Sequence, residues 1–271
     1  MLLKKSFEQG EKNGVIFGNG IIKFQAINLN VYSYIVDGVC IDTGARSLRN
    51  LFRPFYEQQN IEQIVLTHYH EDHSGNAAYF QKKGIPILMN QIMLESCTKR
   101  ADYPLYRKLF WGAREPFHGQ PLESTFESRN ATWDVIETPG HAIDHVALLN
   151  RETGHLFTGD LYVSSRTKVV LKEESIPTII ASLEKVLTYD FNEVFCSHAG
   201  LLKDGRQRLT VKRDYLLELE DKVIAFNKLG FSAAEIQKQL FPKKYPITRM
   251  SSGEWNSMNI VTSILEEKKK I

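Results

Sequence analysis

Hydrophobic and polar positions along the chain form short apolar runs separated by longer amphipathic stretches, a pattern typical of strands interleaved with helices. The apolar runs predict two short strands around a Gly-Asn-Gly turn within 14–24, strands at 31–36, 39–41, 64–66, 85–89, 133–138 and 193–196, and a hairpin at 145–158. Helical periodicity with matching start and stop residues predicts helices at 46–58, 74–84, 176–188, 206–229, 232–240 and 252–268. Alternating strands and helices indicate an α/β fold.

Two regions, 91–130 and the residues beyond 204, differ from the rest of the chain in composition or in predicted secondary structure. Residues 91–130 are rich in aromatic and basic side chains, and their prolines and glycines prevent one long helix. We interpret 91–130 as a lid or pocket wall with arginines for an anionic substrate, or else as an irregular helical insertion packed by its own aromatics, with His118 an ordinary surface histidine. Beyond residue 204 only helices are predicted. We therefore expect a catalytic domain at 1–204 and a C-terminal helical region at 205–271.

Composition limits the partners of this protein. The 271 residues carry a formal net charge of +2, so neither nucleic acid nor a membrane is indicated as an obligatory partner. The three cysteines are isolated, which fits a reducing compartment. The first residues lack the apolar core of a secretory signal, and no apolar run is long enough to span a bilayer. We expect a cytoplasmic protein without a membrane partner.

The highest concentration of potential metal ligands lies at Thr67-His68-Tyr69-His70-Glu71-Asp72-His73, directly after the apolar run 64–66. Three imidazoles and a carboxylate within six residues are the ligands that Zn²⁺ and similar divalent ions prefer. The chain contains only eight histidines, so this density argues against an accidentally His-rich loop.

The spacing within this block predicts two ions. His68 and His70 are two positions apart, so in an extended segment both side chains leave on the same side and can bind one ion. Asp72 and His73 come where the chain turns toward a helix, so they point differently and suit a second ion. Two metals about 3.5–4 Å apart are a common arrangement for hydrolysis.

The same layout, a strand end followed by a metal-binding residue type, recurs along the chain. His141 follows a predicted strand and could complete the coordination of the first ion, and His198 could bind the second. Asp160, after Thr-Gly, could bridge both ions. Asp42, at another strand end, either caps a turn or orients a ligand imidazole. We expect His145 to anchor a loop by hydrogen bonds rather than bind metal.

The motifs Ile-Asp42-Thr-Gly, His68-x-His70-x-Asp72-His73, Pro-Gly-His141, Thr-Gly-Asp160 and His198 together resemble those of the metallo-β-lactamase fold superfamily. Over about the first 200 residues, the resemblance implies a four-layer αβ/βα sandwich with a small C-terminal helical appendage and a metal site at the edge shared by its two sheets. Carried over residue by residue, it implies that His68, His70 and His141 bind the first metal, that Asp72, His73 and His198 bind the second, that Asp160 bridges them, and that Asp42 supports a ligand from behind.

This chain differs from some branches of the superfamily at individual residues, and these differences argue against some of the superfamily's activities. Exported β-lactamases usually lack the bridging Asp160, and the flavodiiron branch has Glu where this chain has His70. The common Pro-Gly-His-Thr-x-Gly-His loop is present as 139–145 with Asp144 in place of its second glycine. The helical tail resembles those of the hydroxyacylglutathione hydrolases and of lactamase-like endoribonucleases.

We therefore expect a dinuclear metal hydrolase, with Zn²⁺ the favoured ion and Fe or Mn as alternatives. A metal-bridging hydroxide would attack an ester, thioester or lactone, and Asp72 would orient the hydroxide or pass a proton. The substrate would be a small molecule whose anionic part could meet Arg166, Lys168 or Lys172. Tyr162 would donate a hydrogen bond to it or serve only in packing.

Three other functions fit the same residues. The first is cleavage of a phosphodiester such as RNA, against which the near-neutral charge argues mildly. The second is a mononuclear iron dioxygenase acting on persulfides, which keeps the same histidines. The third is a metal-stabilised binding module without catalysis.

Overall fold

The computed structural model describes residues 3–25 and 27–267 as two β-sheets with helices on their outer faces. The first sheet contains, in spatial order, β1 (Lys4–Lys12), β2 (Val15–Phe24), β3 (Ile27–Val36), β4 (Val39–Ile41), β5 (Gln63–Val65), β6 (Ile87–Met89) and β7 (Gln120–Pro121). The second contains β8 (Thr125–Glu127), β9 (Thr132–Glu137), β10 (Val146–Asn150), β11 (Leu156–Phe157), β12 (Val194–Cys196) and β13 (Gly200–Leu202). The α-helices are α1 (Arg49–Glu57), α2 (Ala77–Lys82), α3 (Leu94–Cys97), α4 (Leu105–Phe110), α5 (Ile176–Leu187), α6 (Gly205–Lys228), α7 (Ala233–Leu240), α8 (Pro246–Met250) and α9 (Ser257–Glu267).

Both sheets are mixed. In the first, β1 to β4 run antiparallel and β4 to β7 run parallel. In the second, every pair is antiparallel except β11 and β12. The parallel strands β4 and β5, and likewise β11 and β12, therefore deliver the residues that follow them to a common edge.

Three clusters of buried side chains hold four layers together. The cluster between the sheets contains Tyr34, Val65, Trp133, Phe157 and Phe195. A second packs α1 and α2 against the outer face of the first sheet, and a third packs α5, α6, α7 and α9 against the second sheet. The predicted αβ/βα sandwich is confirmed.

The prediction of a turn at the Gly-Asn-Gly of residues 18–20 is wrong, because β2 continues straight through it. These glycines serve helix packing instead. A Cβ on Gly20 would lie 2.5 Å from Leu48 Cδ1 and 2.7 Å from Phe52 Cε2, and one on Gly18 would lie 2.9 Å from Phe55 Cδ1. Only glycine allows α1 to approach the sheet this closely.

The turn instead lies earlier, at Asn13 and Gly14, both of which have positive φ. Two such residues form the favoured two-residue hairpin turn, and they connect β2 to β1, a strand that the sequence pattern did not predict. β1 is largely exposed on both faces, so it lacks the apolar alternation on which such predictions depend. Its charged side chains also protect the edge of the sheet.

The C-terminal helices share a core with the second sheet. Leu216 of α6 and Ile260 of α9 are fully buried in the cluster that also contains Leu183 of α5. The capping box at Ser232 and Glu235 is present, and from residue 205 to 267 the structure contains no strand, only an isolated bridge of Asn256 to Val170. The division into 1–204 and 205–271 stays a prediction, and its Lys268–Lys270 tail lies outside the described residues.

The segment 91–130 forms short elements rather than one long helix, as predicted. Its last strand, β8, pairs with β9 and so belongs to the second sheet. His118 is exposed, also as predicted. Among the described helices, none combines the length and the apolar composition needed to cross a bilayer.

Candidate metal centre

The ends of five strands, β4, β5, β9, β11 and β12, meet at one edge of the sandwich. Backbone hydrogen bonds connect the segments there: Val146 N donates to Thr67 O (2.8 Å), Ser197 N to Gly159 O (3.2 Å), and Tyr32 N to Ser197 O (2.8 Å). This edge therefore fixes the backbone from which the predicted histidines and aspartates project.

The first group contains three imidazoles. His70 Nδ1 lies 3.0 Å from His68 Nε2 and 3.1 Å from His141 Nε2, and all three residues are buried. Burial, with the repulsion of neighbouring imidazoles, holds the pKa of His68 and of His70 well below the ordinary value. Both are therefore neutral at neutral pH, the form that binds metal.

The second group contains Asp72, His73 and His198. Asp72 Oδ2 lies 3.9 Å from His73 Nε2 and 3.5 Å from His198 Nε2. Burial lowers the pKa of His198, but the carboxylate of Asp160 outweighs it and raises the pKa to about 9. The pKa of His73 is likewise raised well above its ordinary value, because Asp160, Asp42 and Asp72 outweigh burial.

Asp160 lies between the two groups. Its Oδ1 is 3.3 Å from His73 Nε2, and its Oδ2 is 3.3 Å from His141 Nε2 and 3.1 Å from His198 Nε2. Burial raises the pKa of Asp160, but the adjacent imidazoles outweigh it and hold the pKa well below its usual range. One ionised carboxylate thus faces ligand atoms of both groups.

These side chains fit divalent cations. Potential ligand atoms within 4.8 Å of one another form three overlapping sets: His68, His70 and His141; His68, His73 and Asp160; and Asp72, His73 and His198. Two of the atoms, His73 Nε2 and Asp160 Oδ1, are buried and face each other at 3.3 Å, yet neither makes a hydrogen bond within the described residues. Buried polar atoms without hydrogen bonds are costly, and a cation bound by both atoms would satisfy them.

Asp42 contacts His73 on the side of the ring that faces away from the other candidate ligands. Its Oδ2 lies 2.7 Å from His73 Nδ1, and its Oδ1 accepts the backbone N–H of Thr67 at 2.9 Å. Ser197 Oγ donates to the same Oδ2 at 3.2 Å. Asp42 adopts φ +57°, the left-handed region that few residues other than Gly, Asn and Asp favour. These contacts favour the orienting interpretation over a role in the turn alone.

His145 anchors its loop by hydrogen bonds, as predicted. Its Nδ1 lies 2.8 Å from Thr138 Oγ1, and its Nε2 accepts the backbone N–H of Asp160 at 3.0 Å. Burial lowers the pKa of His145 to about 3, so the ring is neutral and Nε2 can accept. His145 thereby fixes the backbone of Asp160.

Sequence reasoning missed the groups that hold the outer nitrogens of three histidines. Glu173 Oε1 lies 3.3 Å from His70 Nε2, and Glu174 Oε2 lies 3.1 Å from His141 Nδ1. The backbone O of Asn30 lies 2.5 Å from His198 Nδ1. Such partners fix ring orientation and tautomer. The adjacent Glu173 and Glu174 were the only sequence signal, since a backbone carbonyl such as that of Asn30 has none.

A cavity of about 780 Å³ opens on this centre. Of the three predicted contacts for an anionic substrate, Arg166 and Lys168 line the cavity and Lys172 does not. Tyr162 also lines it, but its hydroxyl pairs with Ser165 Oγ at 2.8 Å, which favours a packing role.

Two of the four arginines of 91–130, Arg107 and Arg114, are engaged within the protein, so neither is free for an anionic substrate as the lid hypothesis expected. Arg107 lines the cavity but donates to Glu71 Oε1 and Oε2 at 2.6 and 2.7 Å. Arg114 is buried and donates to Cys97 O at 2.9 Å. The Arg107 guanidinium thus holds the segment to the metal loop, whereas the Arg114 guanidinium holds the segment together internally.

The C-terminal region reaches the centre through a buried lysine. Lys212 Nζ on α6 donates to the carbonyls of Leu161 and Tyr162, each at 2.6 Å, in the segment directly after Asp160. Burial lowers the pKa of Lys212 to about 8. The next residue, Val163, adopts φ +50°, which is strained for a β-branched side chain. Lys212 therefore supports a strained turn at the cavity wall.

Comparison with known proteins agrees with this architecture. The model of the metallo-beta-lactamase superfamily matches residues 27–198. A beta-lactamase-like protein 2 homolog of Drosophila melanogaster is 26% identical over 63% of this chain and 56% of its own length. An atrochrysone carboxyl ACP thioesterase of Cryptosporiopsis sp. is 26% identical over 56% of this chain and 41% of its own. The chain thus spans about half the length of these relatives.

A solved structure of a metallo-beta-lactamase family protein from Thermus thermophilus superposes with a TM-score of 0.68 and covers 94% of both chains at 21% identity. This likeness concerns the fold. The family match extends over more than half of the chain and includes every strand end that meets at the candidate centre. The chain therefore belongs to the metallo-beta-lactamase superfamily.

Proposed function

We propose that this protein is a metal-dependent hydrolase of an ester, thioester or lactone carbonyl. One observation carries the proposal: seven histidine and aspartate side chains from separate strand ends converge, and two of their atoms are buried without a hydrogen-bond partner among the described residues. In a solvated polar loop, water would supply the hydrogen bonds that these atoms lack.

In this proposal the seven residues hold two divalent cations, with Zn²⁺ favoured by the imidazole-rich ligand set. One ion would be held by His68, His70 and His141, the other by Asp72, His73 and His198, and Asp160 would contact both. When bound, such ions lower the pKa of water and polarise a carbonyl oxygen, which is the chemistry that hydrolysis requires.

The chain's own residues perform three tasks around the ions. Glu173, Glu174, Asp42 and the Asn30 carbonyl hold the rings of the ligand histidines in place. Asp72 lines the cavity and is assigned a second task, accepting a proton from the attacking water. Arg166 and Lys168 line the same cavity and would contact an anionic part of the substrate.

The printed names of relatives support carbonyl chemistry. Besides the Cryptosporiopsis protein, a protein of Emericella nidulans that matches 46% of this chain at 32% identity is named a thioesterase. Phosphodiester cleavage is disfavoured because the walls of the cavity include several large apolar side chains and few unpaired cations. An iron dioxygenase would contain one iron in each chain, so metal analysis distinguishes it from the proposed hydrolase.

The experiment combines elemental analysis with a substrate panel. The purified protein is loaded with Zn²⁺, Mn²⁺ or Fe²⁺, its metal content and thermal melting are measured, and thioester, lactone and bis-phosphodiester hydrolysis are assayed. We expect about two ions per chain, a rise in melting temperature on loading, and hydrolysis of a carbonyl substrate.

The variant Asp160→Ala tests the shared ligand. We expect it to lose at least one ion and most activity while its circular dichroism spectrum remains that of the parent. The control Asp190→Ala removes an exposed carboxylate and is expected to keep both ions. If Asp160→Ala kept both ions and full turnover, the bridging assignment would be wrong.

A further inference from the structure

We propose that the acyl part of the substrate is a large apolar chain, held between the 91–130 segment and the C-terminal helices. This inference rests on the proposed function, since it places the scissile carbonyl at the candidate metal centre. Beyond the proposed function, the inference specifies the chemical class of the acyl group and the side chains that bind it.

The cavity and the candidate centre form one continuous space. The lining includes His70, Asp72, His141, Asp160 and His198, so a molecule in the cavity has its reactive end against these side chains. A volume of about 780 Å³ is far larger than an acetyl group needs and lies in the range of sites that enclose drug-sized ligands.

Two regions of the chain supply apolar walls. Tyr106 and Trp111 come from α4 and the residue after it, and Ile247, Met250 and Trp255 come from α8 and the turn beyond it. All five side chains are only partly buried, so each keeps apolar surface that a ligand can cover.

The wall begins directly beside the candidate centre. The Trp111 indole lies 6.4 Å from the imidazole of His198, measured between ring centroids. With the scissile carbonyl at the candidate centre, the Trp111 side chain would therefore contact the first carbons of the acyl chain.

The charged groups in the lining do not oppose an apolar occupant. Arg107 is paired with Glu71, Lys212 with two backbone carbonyls, and Glu174 with His141 and the backbone N–H of Leu171. Of the cations in the lining, only Arg166 and Lys168 make neither a side-chain ion pair nor a side-chain hydrogen bond within the described residues, and both are exposed. Charge is thus available at the solvent side, and the inner wall is apolar.

These features favour an acyl thioester or ester with a medium or long chain over short acyl groups and over sugars or peptides, whose polar groups would lose hydrogen bonds to water along this largely aromatic and aliphatic wall. Met250 and Trp255 then determine chain-length specificity from the C-terminal region, and Trp111 does so from the 91–130 segment.

The test uses a series of acyl thioesters of N-acetylcysteamine: acetyl, butyryl, octanoyl and dodecanoyl. For the zinc-loaded protein we expect kcat/KM to rise about fourfold per added methylene up to octanoyl, the gain of moving a methylene out of water. Met250→Gln, which has a similar shape but a polar end, should reduce kcat/KM for dodecanoyl about tenfold more than for acetyl. Leu105→Gln, on the outer face of α4 and 83% exposed, should leave the series unchanged.

A binding measurement separates this inference from the proposed function. Calorimetric titration with thioether analogues, in which a methylene replaces the carbonyl, needs no turnover, and we expect affinity to rise with chain length and to fall in Met250→Gln. Hydrolysis at a rate independent of chain length, or thioether binding independent of chain length, would overturn the inference. Tight binding of long thioethers without hydrolysis of any thioester would support the apolar cavity and refute the hydrolase.

Discussion

Arg107 donates two parallel hydrogen bonds to the carboxylate of Glu71, at 2.6 and 2.7 Å, inside the candidate metal loop. Glu71 is fully buried and stands between His70 and Asp72 in sequence, while Arg107 belongs to α4. Arg107 also contacts Glu254 of the C-terminal region at 3.2 Å. One guanidinium therefore connects the metal loop with both regions that form the apolar walls of the cavity.

Removal of Arg107 should destabilise the fold strongly. Arg107→Met leaves the Glu71 carboxylate buried without its partner, and we expect the free energy of unfolding to fall by about 3–5 kcal/mol. The double variant with Glu71→Gln should lose less than the sum of the single changes, because neither partner is then left charged and alone. Urea denaturation of the four proteins measures this coupling.

The neighbouring residue Lys108 offers a matched control. Its ion pair is with Asp102, which is 98% exposed, so the stability of Lys108→Met should stay close to that of the parent protein. Equal losses in Arg107→Met and Lys108→Met would show that the Glu71 pair contributes no more than an ordinary surface contact.

Asp42→Asn should weaken metal binding without unfolding the protein. Asn tolerates the positive φ of residue 42, but its neutral amide is a poorer partner for the His73 Nδ1–H. We expect the affinity of the site that includes His73 to fall about tenfold to a hundredfold, as measured by competition with a zinc chelator. Asp37→Asn, at a surface turn with similar positive φ, should leave the affinity unchanged.

The candidate metal ligands of residues 68–73 could be predicted from the sequence because they lie close together along the chain. His68, His70, Asp72 and His73 follow one strand within six residues, and each later candidate also follows a strand end, so sequence order predicted their meeting point. Glu71 was not assigned a role, because its importance comes from Arg107, which is 36 positions away. Local pattern thus predicts which residues meet, whereas the groups that hold them in place depend on tertiary contacts.

Gly20→Ala should destabilise the sandwich by about 1–3 kcal/mol, the cost of overpacking a core. The added Cβ would lie 2.5 Å from Leu48 Cδ1, and both Leu48 and Phe52 are buried with little room to move. Gly10→Ala on the edge strand is the control, because its nearest contact is Phe17 Cζ at 3.1 Å. Thermal and urea denaturation should show a clear loss only for Gly20→Ala, and equal effects would contradict the packing explanation.

The same position shows why the turn prediction was wrong. A Gly-Asn-Gly sequence is the usual signal for a tight turn, and nothing local distinguishes it from glycines that accommodate a helix. The Leu48 and Phe52 side chains that require Gly20 come later in the chain. The predicted strands and helices could not reveal this contact, because it depends on how closely α1 packs on the sheet.

Asp144 is a buried carboxyl in the loop that carries His141, at a position where the superfamily's common loop has glycine. Neither of its oxygens makes a hydrogen bond within the described residues. Burial raises its pKa to about 7, although nearby backbone amides, including that of Tyr69, and the imidazole of His141 oppose the shift. The folded protein therefore holds a proton on Asp144 more tightly than the unfolded chain, in which the pKa is close to 3.8.

Because the folded-state pKa of Asp144 is raised, its contribution to stability is fully present below about pH 4 and is lost as the pH rises to about 7. Asp144→Asn removes this titration, so the stability of the variant relative to the parent should increase by about 2–3 kcal/mol between pH 5 and pH 8. Urea denaturation of chelator-treated protein at both pH values measures the change without a metal contribution. Asp190→Asn, at an exposed position, is the control. Its stability should differ from that of the parent by the same amount at both pH values. An Asp144→Asn difference that stayed constant with pH would mean that the Asp144 carboxyl is solvated and charged in the folded protein.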